Sequence, residues 1–160
     1  DLCAFLGVDT VMTRDTEEIT YPSEAKTIAA MKKWDTRRRV EIAESVDSPV
    51  FLSIHQNIYP SSGPRGSLVL YAQNEPSRDL AELIQSRLTA ALLPENRRVP
   101  VPAGKDIYIM SHVQCTAVLV ECGFLSHPQE LSLLQSADYQ KKIASVLTAC
   151  YLQFTEKGVL

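Results

Sequence analysis

Two short segments each carry a run of mostly apolar residues into an ionisable side chain. Residues 51–54 lead into His55, and residues 117–120 lead into Glu121. A neutral imidazole can bind zinc, and a carboxylate that is not itself a ligand can take a proton from water and return it to a leaving amine. This pair of side-chain types is therefore suited to metal-assisted hydrolysis, provided that the fold brings the two residues together.

Each of these residues also has a purely structural interpretation. A lone histidine at a strand end is more often hydrogen-bonded than ligating, because buried polar groups find partners. Glu121 favours the functional interpretation, since a carboxylate that follows four apolar residues is costly to bury without a cation or a task in a cleft. The other two histidines, His112 and His127, are interpreted as structural or surface residues, and His127 as a helix cap.

The elements that must position these residues alternate between β-rich and helical runs. Strands are predicted at Val8–Thr13, Pro49–Ile54, Ser67–Ala72, Asp106–Met110 and Ala117–Glu121. This order predicts an α/β domain with a mostly parallel, twisted sheet and helices on both faces. Ligands bind such sheets at the C-terminal ends of the strands, which is where His55 and Glu121 are predicted to lie.

Helical periodicity marks several of the connections. Apolar residues recur at helical spacing from Leu80 to Leu92, behind Ser77 as the predicted N-cap, and again from Tyr139 to Phe154. A short helix is predicted to begin at Pro128. The opening residues, 1–7, are typical of the last turns of a helix that ends at a glycine C-cap.

Composition excludes some classes of function. The chain has 160 residues with 45% hydrophobic and 22% charged residues, which predicts one globular domain. Its net charge is -3 and its basic residues are dispersed, so no nucleic-acid partner is expected. The one basic cluster, residues 37–39, is interpreted as a solvated helix face. No apolar run reaches the roughly 20 residues that span a bilayer, and no signal peptide is recognisable at the start.

The cysteines offer a different nucleophile. Cys3, Cys115, Cys122 and Cys150 form no CxxC pair and are interpreted as small buried hydrophobes. A cysteine hydrolase with Cys122 as nucleophile and His55 as base is one alternative. It is disfavoured because Cys122 directly follows Glu121 on a strand and should point to the opposite face.

Ordered motifs add a resemblance to a known family. The segments SIHQN at residues 53–57 and VECGFLS at residues 120–126 resemble two motifs of the zinc-dependent N-acetylmuramoyl-L-alanine amidases. Further matches follow in family order at residues 13–15, 39–43, 77–83 and 139–140, so the resemblance covers nearly the whole chain. Residues 53–57, 93–98 and 121–125 are most similar to the CwlD-like branch, which acts on spore cortex.

The resemblance implies a role for each site residue. His55 matches the second zinc-binding histidine of the family, and Glu121 matches the catalytic glutamate. The family's other two ligands, a histidine and a glutamate, would lie before Asp1, together with the first strand and part of the first helix. Residues 1–160 are therefore expected to form a single, N-terminally truncated catalytic domain. Because a catalytic zinc takes three protein ligands, this fragment alone is expected to bind zinc weakly or not at all, and to be inactive.

The function implied by the resemblance is peptidoglycan hydrolysis outside the cytoplasm, in the cell wall or spore cortex of a Gram-positive bacterium. The bond cleaved would be the amide between N-acetylmuramic acid and L-alanine of the stem peptide. The alternative is a metal-free, non-catalytic peptidoglycan-binding or regulatory domain on the same scaffold. The missing ligands motivate that alternative, whereas the presence of Glu121 argues against it.

Overall fold

The computed structural model of the chain describes residues 2–156. Its helices are α1 (Leu2–Phe5), α2 (Ile28–Glu44), α3 (Glu75–Leu92), α4 (Tyr108–His112), α5 (Pro128–Leu134) and α6 (Ala137–Glu156). Its strands are β1 (Val50–Asn57), β2 (Leu68–Tyr71), β3 (Val101–Pro102) and β4 (Thr116–Phe124). Among these described residues, no helix is long and apolar enough to cross a membrane.

The four strands form one sheet in the order β1-β4-β2-β3. β4 pairs in parallel with β1 and antiparallel with β2, and β2 pairs in parallel with β3. The predicted mixed α/β architecture with a mostly parallel sheet is therefore confirmed. β4 is almost entirely buried, as its continuous apolar sequence requires of a central strand covered on both sides.

Helices cover both faces of this sheet, as predicted. Side chains of β4 alternate between the two faces, so Val118 and Val120 enter the core formed with α3 and α6. Ala117 and Leu119 enter the smaller core formed with α2 and α4. The side chain of Glu121 belongs by this alternation to the second face, on the side of α2.

The larger core is built on the stripe of α3. Leu80, Ile84 and Leu88 are spaced by one helical turn and are 1%, 2% and 0% exposed. Burying a side chain of this size stabilises the fold by roughly 1.5–3 kcal/mol. The helix ends at Leu92, as predicted, and packs against α6, whose predicted apolar stripe is also confirmed.

The predicted N-cap of α3 was wrong by one turn. Asn74 caps the helix, and its side-chain oxygen accepts from the backbone N–H of Ser77 at 2.9 Å. Ser77 instead lies fully buried in the first turn, where its hydroxyl oxygen accepts from the N–H of Ala117 at 2.8 Å. Sequence spacing did not separate the two because both residue types are good caps and only the sheet contact distinguishes them.

The predicted strand at Asp106–Met110 was also wrong. Tyr108–His112 form α4, which ends when the N–H of Val113 bonds to the carbonyl of Ile109 at 3.0 Å. Met110 is buried on this helix, in the core under α2. A short apolar run does not by itself distinguish a strand from a buried helical turn, and here burial of one helical side decides the conformation.

The segment Val8–Thr13 is not a strand in the structure, contrary to the prediction. It leaves α1 through Gly7, whose φ of +70° confirms the predicted glycine C-cap, and runs on without ladder hydrogen bonds. Val11 and Met12 are 60% and 67% exposed. A strand exists only where a neighbour pairs with it, and no strand among residues 2–156 lies beside this segment.

One edge of the sheet, at β1, is open among the described residues. β1 is the outermost strand of the sheet and pairs only with β4 among the described strands. Its apolar residues Leu52 and Ile54 are 37% and 57% exposed, although they lie in register with the buried Val118 and Val120. The sheet therefore ends on an uncovered, partly apolar strand.

Candidate functional site

The candidate site lies at the C-terminal ends of β1 and β4. His55 and Glu121 are register partners in the parallel ladder, and Leu68 of β2 lies opposite Glu121 on its other side. The three side chains therefore form one row across the sheet, on the face of α2. The two residues singled out from the sequence are thus brought together by backbone pairing.

A β-bulge follows this pair immediately. The register runs from His55 opposite Glu121 to Asn57 opposite Phe124, so β4 contributes one more residue than β1 over this step. Such a bulge bends the strand, increases its twist and re-aims the neighbouring side chains. The sequence does not predict the bulge, although Gly123 lies within it.

Glu121 has the properties of a general base. Its Oε2 atom is buried and has no hydrogen-bond partner among the described residues. Burial raises the pKa of the Glu121 carboxyl above its usual value, because desolvation penalises the charged form. A carboxylate with a spare acceptor and a raised pKa is suited to taking a proton from water and giving it back.

His55 has the properties of a neutral ligand. Its Nε2 atom lies 2.9 Å from the hydroxyl oxygen of the buried Ser53, two residues earlier on the same face. Partial burial lowers the pKa of His55, and the positive charge of Arg39 lowers it further. Both effects favour the uncharged imidazole, which is the form that coordinates a metal.

Arg39 departs from the interpretation of its cluster as a solvated face. Arg37 and Arg38 are exposed on α2, but Arg39 is largely buried, and its Nε donates to the Asp35 carboxylate one turn earlier on the same helix at 2.9 Å. Both side chains of this pair are more than three-quarters buried. Consecutive residues of a helix face different directions, so one member of a basic triplet can turn inward.

Cys122 points away from the site, as its position after Glu121 predicted. The side chain is 3% exposed and lies in the core with α3 and α6. Burial, together with the neighbouring Glu121, raises the pKa of the Cys122 thiol to about 11. The structure therefore gives the cysteine-hydrolase alternative neither a thiolate nor an approach to His55.

The remaining histidines take local roles. His112 is exposed on α4 and stacks on Tyr108 with a centroid distance of 3.7 Å. His127 is the N-cap of α5, and its Nδ1 accepts from the N–H of Glu130 at 3.4 Å. The helix start at Pro128 is confirmed, with His127 as its cap.

Glu130 is the residue whose importance the sequence did not reveal. Its position in the first turn of α5 was explained by the helix dipole, yet the side chain is 7% exposed and accepts two backbone hydrogen bonds near the site. The available signal was Gly123, whose missing Cβ makes room for this carboxylate at 3.3 Å.

The residues present fit part of a zinc site. The imidazole of His55 could serve as one ligand, and the Glu121 oxygen that has no hydrogen-bond partner within residues 2–156 could serve as a base. Within residues 2–156, however, no group of three His, Cys, Asp or Glu side chains could hold a metal ion. The described donors are therefore compatible with zinc but do not complete its coordination.

Comparison with known proteins places this arrangement in a family. The sequence profile of the N-acetylmuramoyl-L-alanine amidases, Amidase_3, matches residues 4–150. The chain belongs to this amidase family. A germination-specific N-acetylmuramoyl-L-alanine amidase of Bacillus subtilis (strain 168) is 34% identical over 157 residues, which are 95% of this chain and 64% of that protein. The amidase LytC of the same organism is 35% identical over 71% of this chain and 23% of its own length.

The fold agrees with that of solved amidases. The CwlD amidase from Clostridioides difficile, solved in complex with the GerS lipoprotein, superposes with a TM-score of 0.89 at 29% identity. The match covers 97% of this chain and 79% of that one. The chain thus spans somewhat less than two thirds of the germination-specific relative and about four fifths of the CwlD chain.

Proposed function

We propose that the protein containing this chain hydrolyses the amide bond between N-acetylmuramic acid and L-alanine in peptidoglycan. The observation that carries the proposal is the pairing of His55 with Glu121 at the strand ends, where one Glu121 oxygen has no hydrogen-bond partner among the residues that the structure describes. Membership of the amidase family supports the choice of substrate.

The proposed chemistry assigns one step to each residue. Zinc, when bound, supplies a Lewis acid that polarises the carbonyl and acidifies water. His55 presents a neutral imidazole as one of its ligands. Glu121 accepts a proton from the attacking water as the new C–O bond forms at the lactyl carbonyl carbon. It then delivers that proton to the amine of L-alanine as the C–N bond breaks.

We further propose that the remaining zinc ligands, a histidine and a glutamate, belong to a segment that precedes residue 1 in the natural protein. Two features support this. Within residues 2–156, Val8–Thr13 has a β-prone sequence with no neighbouring strand, and β1 has one edge with no pairing strand. A strand inserted between them would pair with both and would end near His55. Residues 1–160 would then be one truncated catalytic domain.

The place of action follows from the substrate. Peptidoglycan lies outside the cytoplasmic membrane, so the protein would act extracytoplasmically. The germination-specific relative supports spore cortex as the material cleaved. The CwlD amidase was solved with a lipoprotein, which makes a lipoprotein a reasonable candidate partner to test with this protein as well.

The test uses the natural protein that contains this chain and purified peptidoglycan. We expect release of stem peptide with new amino-terminal L-alanine, loss of release after exhaustive chelation, and recovery when zinc is restored. Undiminished release after complete metal removal would exclude the zinc mechanism. Binding to peptidoglycan without release, in zinc-loaded protein, would favour the non-catalytic alternative, which the incomplete ligand set of residues 2–156 motivates.

A further inference from the structure

One buried carboxylate joins two strands beside the candidate site. Glu130, in the first turn of α5, accepts from the N–H of Gly66 through Oε1 and from the N–H of Phe124 through Oε2, each at 2.8 Å. Gly66 precedes β2, and Phe124 ends β4. The carboxylate therefore fastens the start of β2 to the end of β4.

These two amides lie just beyond the last pair of the ladder between β2 and β4. The antiparallel ladder of β2 and β4 ends with Leu68 opposite Glu121, and its continuation by two residues would place Gly66 opposite Gly123. The ladder stops before that pair, and the bulge in the pairing of β4 with β1 spans the same residues of β4, from Glu121 to Phe124. A buried N–H without a partner costs on the order of 1–3 kcal/mol, so the carboxylate replaces what the ladder no longer supplies.

The surroundings are shaped to fit this contact. A Cβ on Gly123 would lie 3.3 Å from the Glu130 carboxylate, so glycine permits the close approach. Gly66 has a φ of +93°, and a Cβ there would lie 2.8 Å from Asn96 Cγ. Asn96 in turn donates to the carbonyl of Ser67 at 2.9 Å. The start of β2 is thus held by both Glu130 and Asn96, and the end of the bulge is held by Glu130.

We propose that Glu130 is a positioning residue for the hydrolysis: by holding the bulge, it sets the direction in which Glu121 points relative to His55. This inference rests on the proposed function, because it concerns the same site. Glu121 lies three residues before Phe124. It is also opposite Leu68, which lies two residues after Gly66. A shift at either anchor is therefore passed along a short stretch of backbone to the catalytic carboxyl.

The decisive variant is Glu130→Gln in the natural protein. The amide keeps one acceptor oxygen but turns an NH₂ group toward a backbone N–H, so one anchor becomes repulsive. We expect kcat to fall on the order of 10- to 100-fold, as for small misplacements of a catalytic group, with KM and zinc content nearly unchanged. Glu95→Gln is the matched control, since Glu95 is an exposed partner of Arg65 in the same region.

The outcomes separate this inference from the proposed function. An inactive wild-type protein would refute the function itself. An active wild type with an unchanged kcat in Glu130→Gln would refute the positioning role alone, and so would a loss of zinc and folding in proportion to the loss of rate. Gly123→Ala should lower kcat through the same carboxylate, so the double variant should lose less than the product of the single losses. A loss in the double variant equal to the product of the single losses would contradict the shared mechanism.

A measurement on the wild type keeps the proposal testable even if the variants do not fold. The Gly66 and Phe124 amides should exchange with solvent as slowly as core β4 amides, because Glu130 protects both. Exchange at the rate of an open loop would overturn the proposal.

Discussion

His55 and Glu121 occupy the same rung of the parallel ladder between β1 and β4, with both side chains on the face covered by α2. Their relative position is therefore set by backbone hydrogen bonds. Adjacent strands lie roughly 4.8 Å apart, so the two side chains leave the backbone side by side. The proposed ligand and the proposed base can therefore be tested separately.

Glu121→Gln should separate metal binding from chemistry. The amide preserves size and shape but cannot accept and return a proton. In the natural protein, turnover should fall by a factor on the order of 100 to 10,000 while zinc stays bound. Zinc analysis and peptide release on the same sample check this. Loss of zinc along with activity would instead identify Glu121 as a ligand.

His55→Ala should lower zinc content as well as rate, because it removes a ligand from the site itself. Metal analysis after dialysis against dilute zinc gives the measurement. His112→Ala is the matched control, since His112 is exposed on α4 and stacks on Tyr108. Normal zinc occupancy in the His55 variant would assign that histidine a structural role.

Glu121 should also affect stability in a pH-dependent way. Burial raises the pKa of its carboxyl above 4.5 in the folded state, so the folded protein binds this proton more tightly than the unfolded chain. Ionised Glu121 therefore destabilises the folded state when the pH is above the folded-state pKa of this carboxyl. The destabilisation disappears below pH 4.5, where the carboxyl is protonated in both states. In metal-free protein, Glu121→Gln should raise the urea midpoint at neutral pH, and the gain should shrink as the pH falls. Glu82→Gln, at an exposed position, should show no comparable trend. A gain that is independent of pH would contradict this account.

Ser77→Ala should destabilise the fold by about 1–3 kcal/mol, because the buried N–H of Ala117 would lose its acceptor. Ser86→Ala, at an exposed position of the same helix, should be nearly neutral. Urea denaturation of both variants measures the difference. Equal stability would mean that water replaces the Ser77 hydroxyl.

Sequence patterns predicted the elements whose apolar residues form long runs or periodic stripes. The stripes of α3 and α6 pack together in one core, and the apolar run of β4 is buried on both faces, so local pattern and global packing agree. The segment Asp106–Met110 is short enough for either conformation, and burial of Met110 in the core with α2 favours the helix. Val8–Thr13 failed for a different reason, since strand formation requires a neighbour that local sequence cannot supply.

Only those features of the site that follow from residue spacing along the chain could be predicted. His55 and Glu121 stand at the ends of apolar runs, and strand alternation placed Cys122 on the other face. The role of Glu130 depends on a bulge that no spacing rule reveals, and on backbone amides that carry no side-chain signature. The burial of Arg39 could not be predicted either, because the side of a helix that is buried depends on the element that packs against it.

The uncovered strand β1 has a consequence for how this chain behaves in solution. Its sequence, VFLSIHQN, contains no Lys, Arg, Asp, Glu or Pro, the residues that discourage edge-to-edge pairing between molecules. Within residues 2–156 no strand pairs with its outer edge, so the N–H and C=O groups there, beside the exposed Leu52 and Ile54, can pair with another copy. Samples of this chain alone are therefore expected to self-associate as concentration rises, and any added segment that pairs with β1 should compete with that association and keep the chain monomeric.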